Sequence, residues 1–115
     1  MARLIIEAIA EDGIAAPGNV NVSAIIVSVT NSKGEGVIGL NKSNFTLGSI
    51  MVGPGGSLSH IDSVMHDVSA PITGIYIIRI APLAGQTWKL GVYIWSLKVT
   101  SGVNIGQTLC STSMD

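Results

Sequence analysis

The chain contains short segments in which large apolar side chains recur at every second position. The clearest segments lie at residues 24–30, 75–80 and 92–100. Successive side chains of an extended strand point to opposite faces, so this pattern predicts strands with one buried side. The rows predicted to face the core are Ile25, Val27 and Val29 in the first segment, and Tyr93, Trp95, Leu97 and Val99 in the third.

Weaker patterns predict further strands. They cover residues 3–10, with Leu4, Ile6 and Ala8 on one face, and residues 45–52, 58–68 and 105–111, with a short extended piece at 37–40. A helical turn capped by Asn41 is expected before Phe45. Isoleucine and valine together number 27 against eight leucines, and β-branched side chains favour a pleated surface. The prediction is one all-β domain over residues 1–115, a two-sheet sandwich of seven or eight mostly antiparallel strands.

Three stretches support a family resemblance. They are Gly36-Val-Ile-Gly-Leu40 followed by Phe45, Gly74-Ile-Tyr76 with Pro82, and Trp88-Lys-Leu-Gly91-Val-Tyr93 with Leu97 and Val99. Together they resemble bacterial immunoglobulin-like domains across roughly residues 20–112. The resemblance implies an immunoglobulin-like sandwich in which Tyr93 opens a strand at a corner and its hydroxyl bonds to nearby backbone. It also implies a spacer, adhesion or binding module, and the fold alone does not choose among these.

The low content of charged residues limits the classes of binding partner. Charged residues make up 11% of the chain and the net charge is −1, against a usual charged share of about 25%. The six cations are scattered singly, which argues against nucleic acid and against an anionic membrane surface. No stretch reaches the roughly 20 apolar residues of a membrane helix. The apolar start is broken by Glu7, so a full-length chain is expected in the cytoplasm, whereas an excised domain leaves the compartment undefined.

One polar cluster is a candidate metal site. It comprises His60, Asp62, His66 and Asp67. An extended strand places His60 and His66 about 20 Å apart at roughly 3.3 Å per residue, too far to share a zinc ion. His60 and Asp62 share a face in that geometry and are candidates for electrostatic pairing. The favoured interpretation is a set of solvated surface residues.

The other candidate sites have equally little support in the sequence. Glu11 and Asp12 are a candidate calcium pair, although two acids in a turn are more often simply solvated. The glycine-rich stretch at 53–57 has no lysine and precedes a strand, unlike a phosphate-binding loop. The single cysteine, Cys110, has no histidine near it in sequence and is interpreted as an apolar filler, its facing left open. We therefore expect no enzyme, no catalytic residues, no metal and no cofactor.

Four aromatic residues raise an alternative function. Tyr76, Tyr93 and Trp95 alternate into the predicted core, whereas Trp88 lies in a predicted loop and is the candidate for exposure. A carbohydrate-binding module using Trp88 as its ligand contact is therefore the alternative hypothesis.

Several strands are apolar on both faces, which a sandwich with solvated outer faces does not need. Opposite the predicted core rows lie Ile5, Ile9, Ile26, Ile75, Ile77, Val92 and Ile94. Exposed apolar patches beyond a few hundred Å² usually mark an interface. The leading hypothesis is a non-catalytic structural or protein-interaction module whose outer face or edge is covered by a second copy or by a partner domain. A looser register, with some of these residues in the core, is the alternative.

Overall fold

The computed structural model describes residues 3–11, 22–51, 59–89 and 91–114. The predicted loop at 53–57 and Asp12 lie outside the described residues. Within them the chain forms seven strands and one 3₁₀ turn at Lys42–Asn44. The strands are β1 (Ile5–Ala10), β2 (Ser23–Thr30), β3 (Phe45–Met51), β4 (Ser59–His66), β5 (Ile75–Pro82), β6 (Gly91–Ser101) and β7 (Asn104–Met114).

The strands form two antiparallel sheets. A four-stranded sheet has the order β1-β2-β5-β4 and a three-stranded sheet has the order β3-β6-β7. Every ladder between these strands is antiparallel. The predicted all-β, two-sheet class is confirmed.

The core lies between the inner faces of the two sheets. The rows predicted from β2 and β6 are completely buried, and β5 adds Tyr76, Ile78 and Ile80. Leu4 and Ile6 of the first segment are buried as well. Burying one large apolar side chain contributes roughly 1.5–3 kcal/mol, so these rows account for much of the driving force.

Three aromatic rings form one cluster within that core. Tyr93 stacks on Trp95 with ring centroids 5.8 Å apart, and Trp88 meets Tyr93 edge-on at 5.3 Å. The Tyr93 hydroxyl accepts from the Lys89 N–H at 2.8 Å and donates to the Lys89 carbonyl at 3.1 Å. This is the local backbone bond that the sequence resemblance implied for Tyr93. Nε1 of Trp95 is buried without a hydrogen-bond partner among the described residues.

The turn before β3 forms as expected. Asn41 has an extended backbone and its side chain accepts from the Ser43 N–H at 3.0 Å. The Asn44 side chain in return accepts from the Asn41 N–H at 2.9 Å. The two bonds satisfy N–H groups that a helical start leaves free.

The predicted extended piece at 37–40 is not a strand. The Val37 N–H donates to the Val29 carbonyl of β2 at 2.9 Å, and the Tyr76 hydroxyl donates to the Val37 carbonyl at 2.7 Å and accepts from the Leu40 N–H at 3.3 Å. The backbone of β2 and a tyrosine of β5 thus share the hydrogen bonding of this segment.

The start of the chain touches both sheets. The Leu4 N–H donates to the Ile105 carbonyl at 2.9 Å, in a parallel bridge between Arg3 and Ile105, before β1 pairs with β2. Gly106 permits this crossing, since a Cβ there would lie 2.5 Å from the Leu4 carbonyl oxygen. This side of the sandwich is therefore closed at one point by β1 and β7.

Candidate functional site

The polar cluster on β4 does not converge. No group of three or more His, Cys, Asp or Glu side chains in the described ranges is placed to hold a metal ion. Asp67 accepts from the Ser69 hydroxyl at 2.6 Å and from the Ser69 N–H at 3.1 Å. The hydroxyl bond above all lowers the pKa of the Asp67 carboxyl. His66 stacks on Tyr76 at 4.9 Å, so its ring packs over the end of the core.

A β-bulge changes the facing of β4. The register with β5 shifts between Ile61 and Ser63, leaving Asp62 without a paired residue. The extra residue reverses the alternation, so Ile61 and Val64 both pack against the core while Met65 is exposed. His60 and Asp62 are both exposed on either side of buried Ile61, so the alternation that placed them on one face holds up to Asp62 and breaks after it.

Cys110 faces the core. Its side chain is buried while that of Leu109 is exposed, which settles the facing that the sequence left open. Burial raises the pKa of the Cys110 thiol to about 11. The thiolate is the nucleophilic form, so this environment disfavours the reactive state and fits a packing role.

The expected exposure of Trp88 is wrong. The residue is 0% exposed and its ring meets Trp95 at 6.3 Å as well as Tyr93. The segment before β6 folds back over the sandwich, because a large apolar ring gains most when the core covers it. A sugar cannot stack on a ring that has no open face, so the carbohydrate hypothesis loses its contact residue.

The seven residues of the predicted interface lie outside the core, on two opposite surfaces. Ile5, Ile9, Ile26, Ile75 and Ile77 belong to the strands of the four-stranded sheet, whereas Val92 and Ile94 belong to β6. Ile5, Ile9, Ile26 and Val92 are exposed, and the other three are half-buried. A single partner sheet therefore cannot cover all seven.

The outer face of the four-stranded sheet carries an unbroken apolar row. Ile9 pairs with Ile26, Ile26 pairs with Ile77, and Ile77 pairs with Met65, so the row crosses all four strands. Side chains paired in this way have Cβ atoms about 4.5–5.5 Å apart. Ile9 is 72% exposed, and Ile26 and Met65 are 38% and 47% exposed. Alternation along β4 does not predict Met65 on this face, because it gives no sign of the bulge.

Two opposite charges border this row. Glu7 lies two residues before Ile9 on β1, and Arg79 lies two residues after Ile77 on β5. The strands β1 and β5 both run antiparallel to β2. The acid and the base therefore lie on opposite sides of the row. We call the surface formed by the row together with Ile5, Ile75, Glu7 and Arg79 the four-strand face.

The outer face of the three-stranded sheet is a mosaic. Ile94 pairs with Ser111, Val92 pairs with Ser113, and Leu109 pairs with Ser96. On its other side Ile94 pairs with Met51 of β3. Across the β6–β7 pair each exposed apolar side chain lies opposite a polar one, so no apolar row crosses all three strands.

A groove lies where β1 parts from β7. It has a volume of about 560 Å³ and is lined by Arg3, Leu4, Ile5, Ile6, Ile105, Gly106 and Gln107. It contains no acid, nucleophile or second base beside Arg3 among its lining residues. Its chemistry is therefore that of a crevice between strands.

Comparison of the chain with protein families, with curated proteins and with solved structures finds no match. Within the described part of the chain no helix has the length and apolarity to cross a membrane.

Proposed function

We propose that this chain is an immunoglobulin-like, non-catalytic interaction module that self-associates through the four-strand face. The observation that carries the proposal is the row of Ile9, Ile26, Ile77 and Met65, which crosses every strand of that sheet. Water in contact with such a row is released when a second apolar surface covers it.

The strand order supports the immunoglobulin-like part of the proposal. Constant-type immunoglobulin domains have strands ABED in one sheet and CFG in the other. Lettering β1 to β7 as A to G gives the same two sheets, β1-β2-β5-β4 and β3-β6-β7. Tyr93 lies near the start of the sixth strand and bonds to Lys89 four residues upstream, as the corner tyrosine of that fold does.

The size of the four-strand face supports a weak dimer. Four strands about 4.8 Å apart and some six residues long at roughly 3.4 Å each cover about 19 by 20 Å. That projection, about 400 Å², is half of the roughly 800 Å² that each partner buries in a standard interface. We therefore expect a dissociation constant in the micromolar range, about −8 kcal/mol.

The two bordering charges favour a second copy as the occupant. A two-fold contact is isologous, so residue i of one protomer meets residue j of its partner and the reverse. Glu7 of one protomer then meets Arg79 of its partner twice across the interface. A partner domain with no matching charges gains nothing from this arrangement.

The test is a pair of matched lysine substitutions. Ile9 and Ile50 are both exposed isoleucines on edge strands, one in each sheet, at 72% and 62% exposure. Ile9→Lys should raise the dissociation constant at least tenfold in sedimentation equilibrium, because a desolvated ammonium opposes closure. Ile50→Lys should leave it within twofold.

Light scattering supplies the decisive control. If the unsubstituted chain stays at the 11.9 kDa of one copy at several hundred micromolar, the homodimer is excluded. Equal effects of the two substitutions would show that general surface hydrophobicity drives association, and would exclude the four-strand face as the specific site.

A further inference from the structure

The four strands at the sheet borders differ in how their open edges are protected. β1 is six residues long and carries Glu7, β3 has a bulge between Ser49 and Met51, and β4 has the bulge at Asp62. Short length, charge and bulges are devices that keep an edge from pairing with another chain. Each of these three edges has at least one.

β7 has none of these devices. It is eleven residues long, with the sequence NIGQTLCSTSM, and contains no charged residue and no proline. Its register with β6 runs from Asn104 to Met114 without a shift. A long, regular, uncharged edge is a template for pairing with an added strand.

One hydrogen bond identifies the backbone groups on this edge. The Ile105 carbonyl accepts from Leu4 of the first segment, so it points away from β6. N–H and C=O directions alternate along a strand as side chains do, and the register is unbroken. The backbone groups of every second residue after Ile105 therefore point to the same edge: Gln107, Leu109, Ser111 and Ser113. The Leu109 carbonyl accepts a long 3.5 Å bond from the Thr108 hydroxyl, which leaves a second lone pair for a partner.

We infer that the edge of β7 pairs antiparallel with β7 of a second copy, joining two three-stranded sheets into one six-stranded sheet. Among the described residues, β1 hydrogen-bonds to this edge at Ile105 and then turns to β2. Beyond the groove that Gln107 lines together with β1, Leu109, Ser111 and Ser113 each present both a donor and an acceptor. Two identical edges related by a two-fold axis therefore satisfy each other.

The side chains favour the same partner. Like charges directly opposite each other destabilise a strand pair, and self-pairing of a charged strand produces that arrangement near its two-fold axis. β7 has no charge to repel its copy. Its outward side chains, including Leu109 and Ser111, are exposed and pair across strands without a clash of sign. This contact shares no residue with the four-strand face and goes beyond the proposed function.

A cysteine scan tests the pairing directly. In a Cys110→Ser, Ile9→Lys background, which removes the native thiol and weakens the four-strand face, cysteine is placed singly at positions 107, 109, 111 and 113. All four native side chains are exposed, so random collision predicts similar cross-linking at each. Antiparallel self-pairing predicts a disulfide-linked dimer at one position, or equally at two neighbouring ones, at least tenfold faster than at Val92→Cys on β6. Uniform cross-linking, or none, would overturn the inference.

A proline substitution tests the role of the backbone. Ser111→Pro removes an N–H that faces the edge, whereas Ser111→Ala removes the same hydroxyl and keeps the N–H. In the Ile9→Lys background, Ser111→Pro should weaken association at least tenfold and Ser111→Ala less than twofold. Circular dichroism and a thermal melt verify the fold, and Leu109→Lys, which introduces repulsion without removing an N–H, replaces the proline variant if that variant unfolds.

Combining Ile9→Lys with the edge variants distinguishes pairing through β7 from association through the four-strand face. If Ile9→Lys alone gives a monomer at all accessible concentrations, and the edge variants of the otherwise unsubstituted chain leave its mass unchanged, edge pairing is refuted and the four-strand face stands. If association survives Ile9→Lys and is lost with Ser111→Pro, the edge acts by itself.

Discussion

The two outer faces of this sandwich are made from similar residues and differ in what lies opposite each one. On the four-stranded sheet, Ile26 has isoleucine on both sides, Ile9 and Ile77. On the three-stranded sheet, Ile94 has Met51 on one side and Ser111 on the other. Counting apolar residues strand by strand does not distinguish the two surfaces. Strand register decides whether exposed apolar side chains merge into one surface or stay isolated.

The largest effects should come from the inner faces of the two sheets, where side chains of both sheets are completely buried. Trp95→Ala on β6 should destabilise the protein by about 3–5 kcal/mol and Ile78→Ala on β5 by about 2–5 kcal/mol, measured by urea denaturation. Both side chains are completely buried. A near-silent Trp95→Ala would mean that the three-stranded sheet is inverted. Trp95→Phe should cost less than Trp95→Ala, because it keeps most of the buried ring while it removes the unpartnered Nε1.

Each sheet contains one buried tyrosine whose hydroxyl bonds to backbone, Tyr76 in the four-stranded sheet and Tyr93 in the three-stranded sheet. Tyr76→Phe and Tyr93→Phe should each cost about 1–3 kcal/mol, because each leaves backbone groups without a partner. Hydrogen exchange should separate them. Tyr76→Phe should speed exchange at Leu40, which lies 36 residues away in the chain, and Tyr93→Phe should speed exchange at Lys89, four residues away. Faster exchange at both amides in both variants would contradict the separate roles.

A charge exchange tests whether Glu7 and Arg79 pair between two copies across the four-strand face. Glu7→Arg alone and Arg79→Glu alone should each weaken self-association by about two- to thirtyfold, since each removes both symmetry-related pairs and an exposed pair is worth roughly 0.2–1 kcal/mol. The double variant should restore it, because each arginine then meets a glutamate again. Sedimentation velocity measures all three. A double variant that adds the two single losses would contradict the isologous arrangement.

The smallest effect concerns Cys110 and appears outside neutral pH. Its folded pKa is raised from 9.0 to about 11 by burial, so the unfolded chain loses the thiol proton at a lower pH than the native one. The contribution to stability is complete below about pH 9 and declines as the pH rises toward about 11. Cys110→Ala should remove this part of the decline in a pH series of urea melts. An identical slope in both proteins would show that the thiol is not buried in solution.

Alternation predicted the inner rows well because a period of two needs no knowledge of neighbouring strands. The rows of β2 and β6 are buried where expected. Asn41 was also recognisable, since a capping side chain acts on backbone two and three residues away. These features are local, and local sequence carries them.

The features that alternation missed depend on contacts between distant segments. The bulge at Asp62 exposes Met65 through the pairing of β4 with β5. No residue type in β4 predicts this bulge. Trp88 was expected in solvent because its own segment is irregular, whereas the cluster with Tyr93 and Trp95 covers it. Alternation identified seven apolar residues opposite the core rows, but their division between two surfaces depends on the strand order.

The aromatic cluster also fixes what fluorescence can report. Trp88 and Trp95 are the two tryptophans of the chain, and both are 0% exposed within one group of rings. Native emission should therefore be blue-shifted, and it should move to the red in a single step when the sandwich opens. Events on either outer surface leave both indoles in the same apolar surroundings. Intrinsic emission is thus a selective probe of the interior, and an extrinsic dye is needed to follow association.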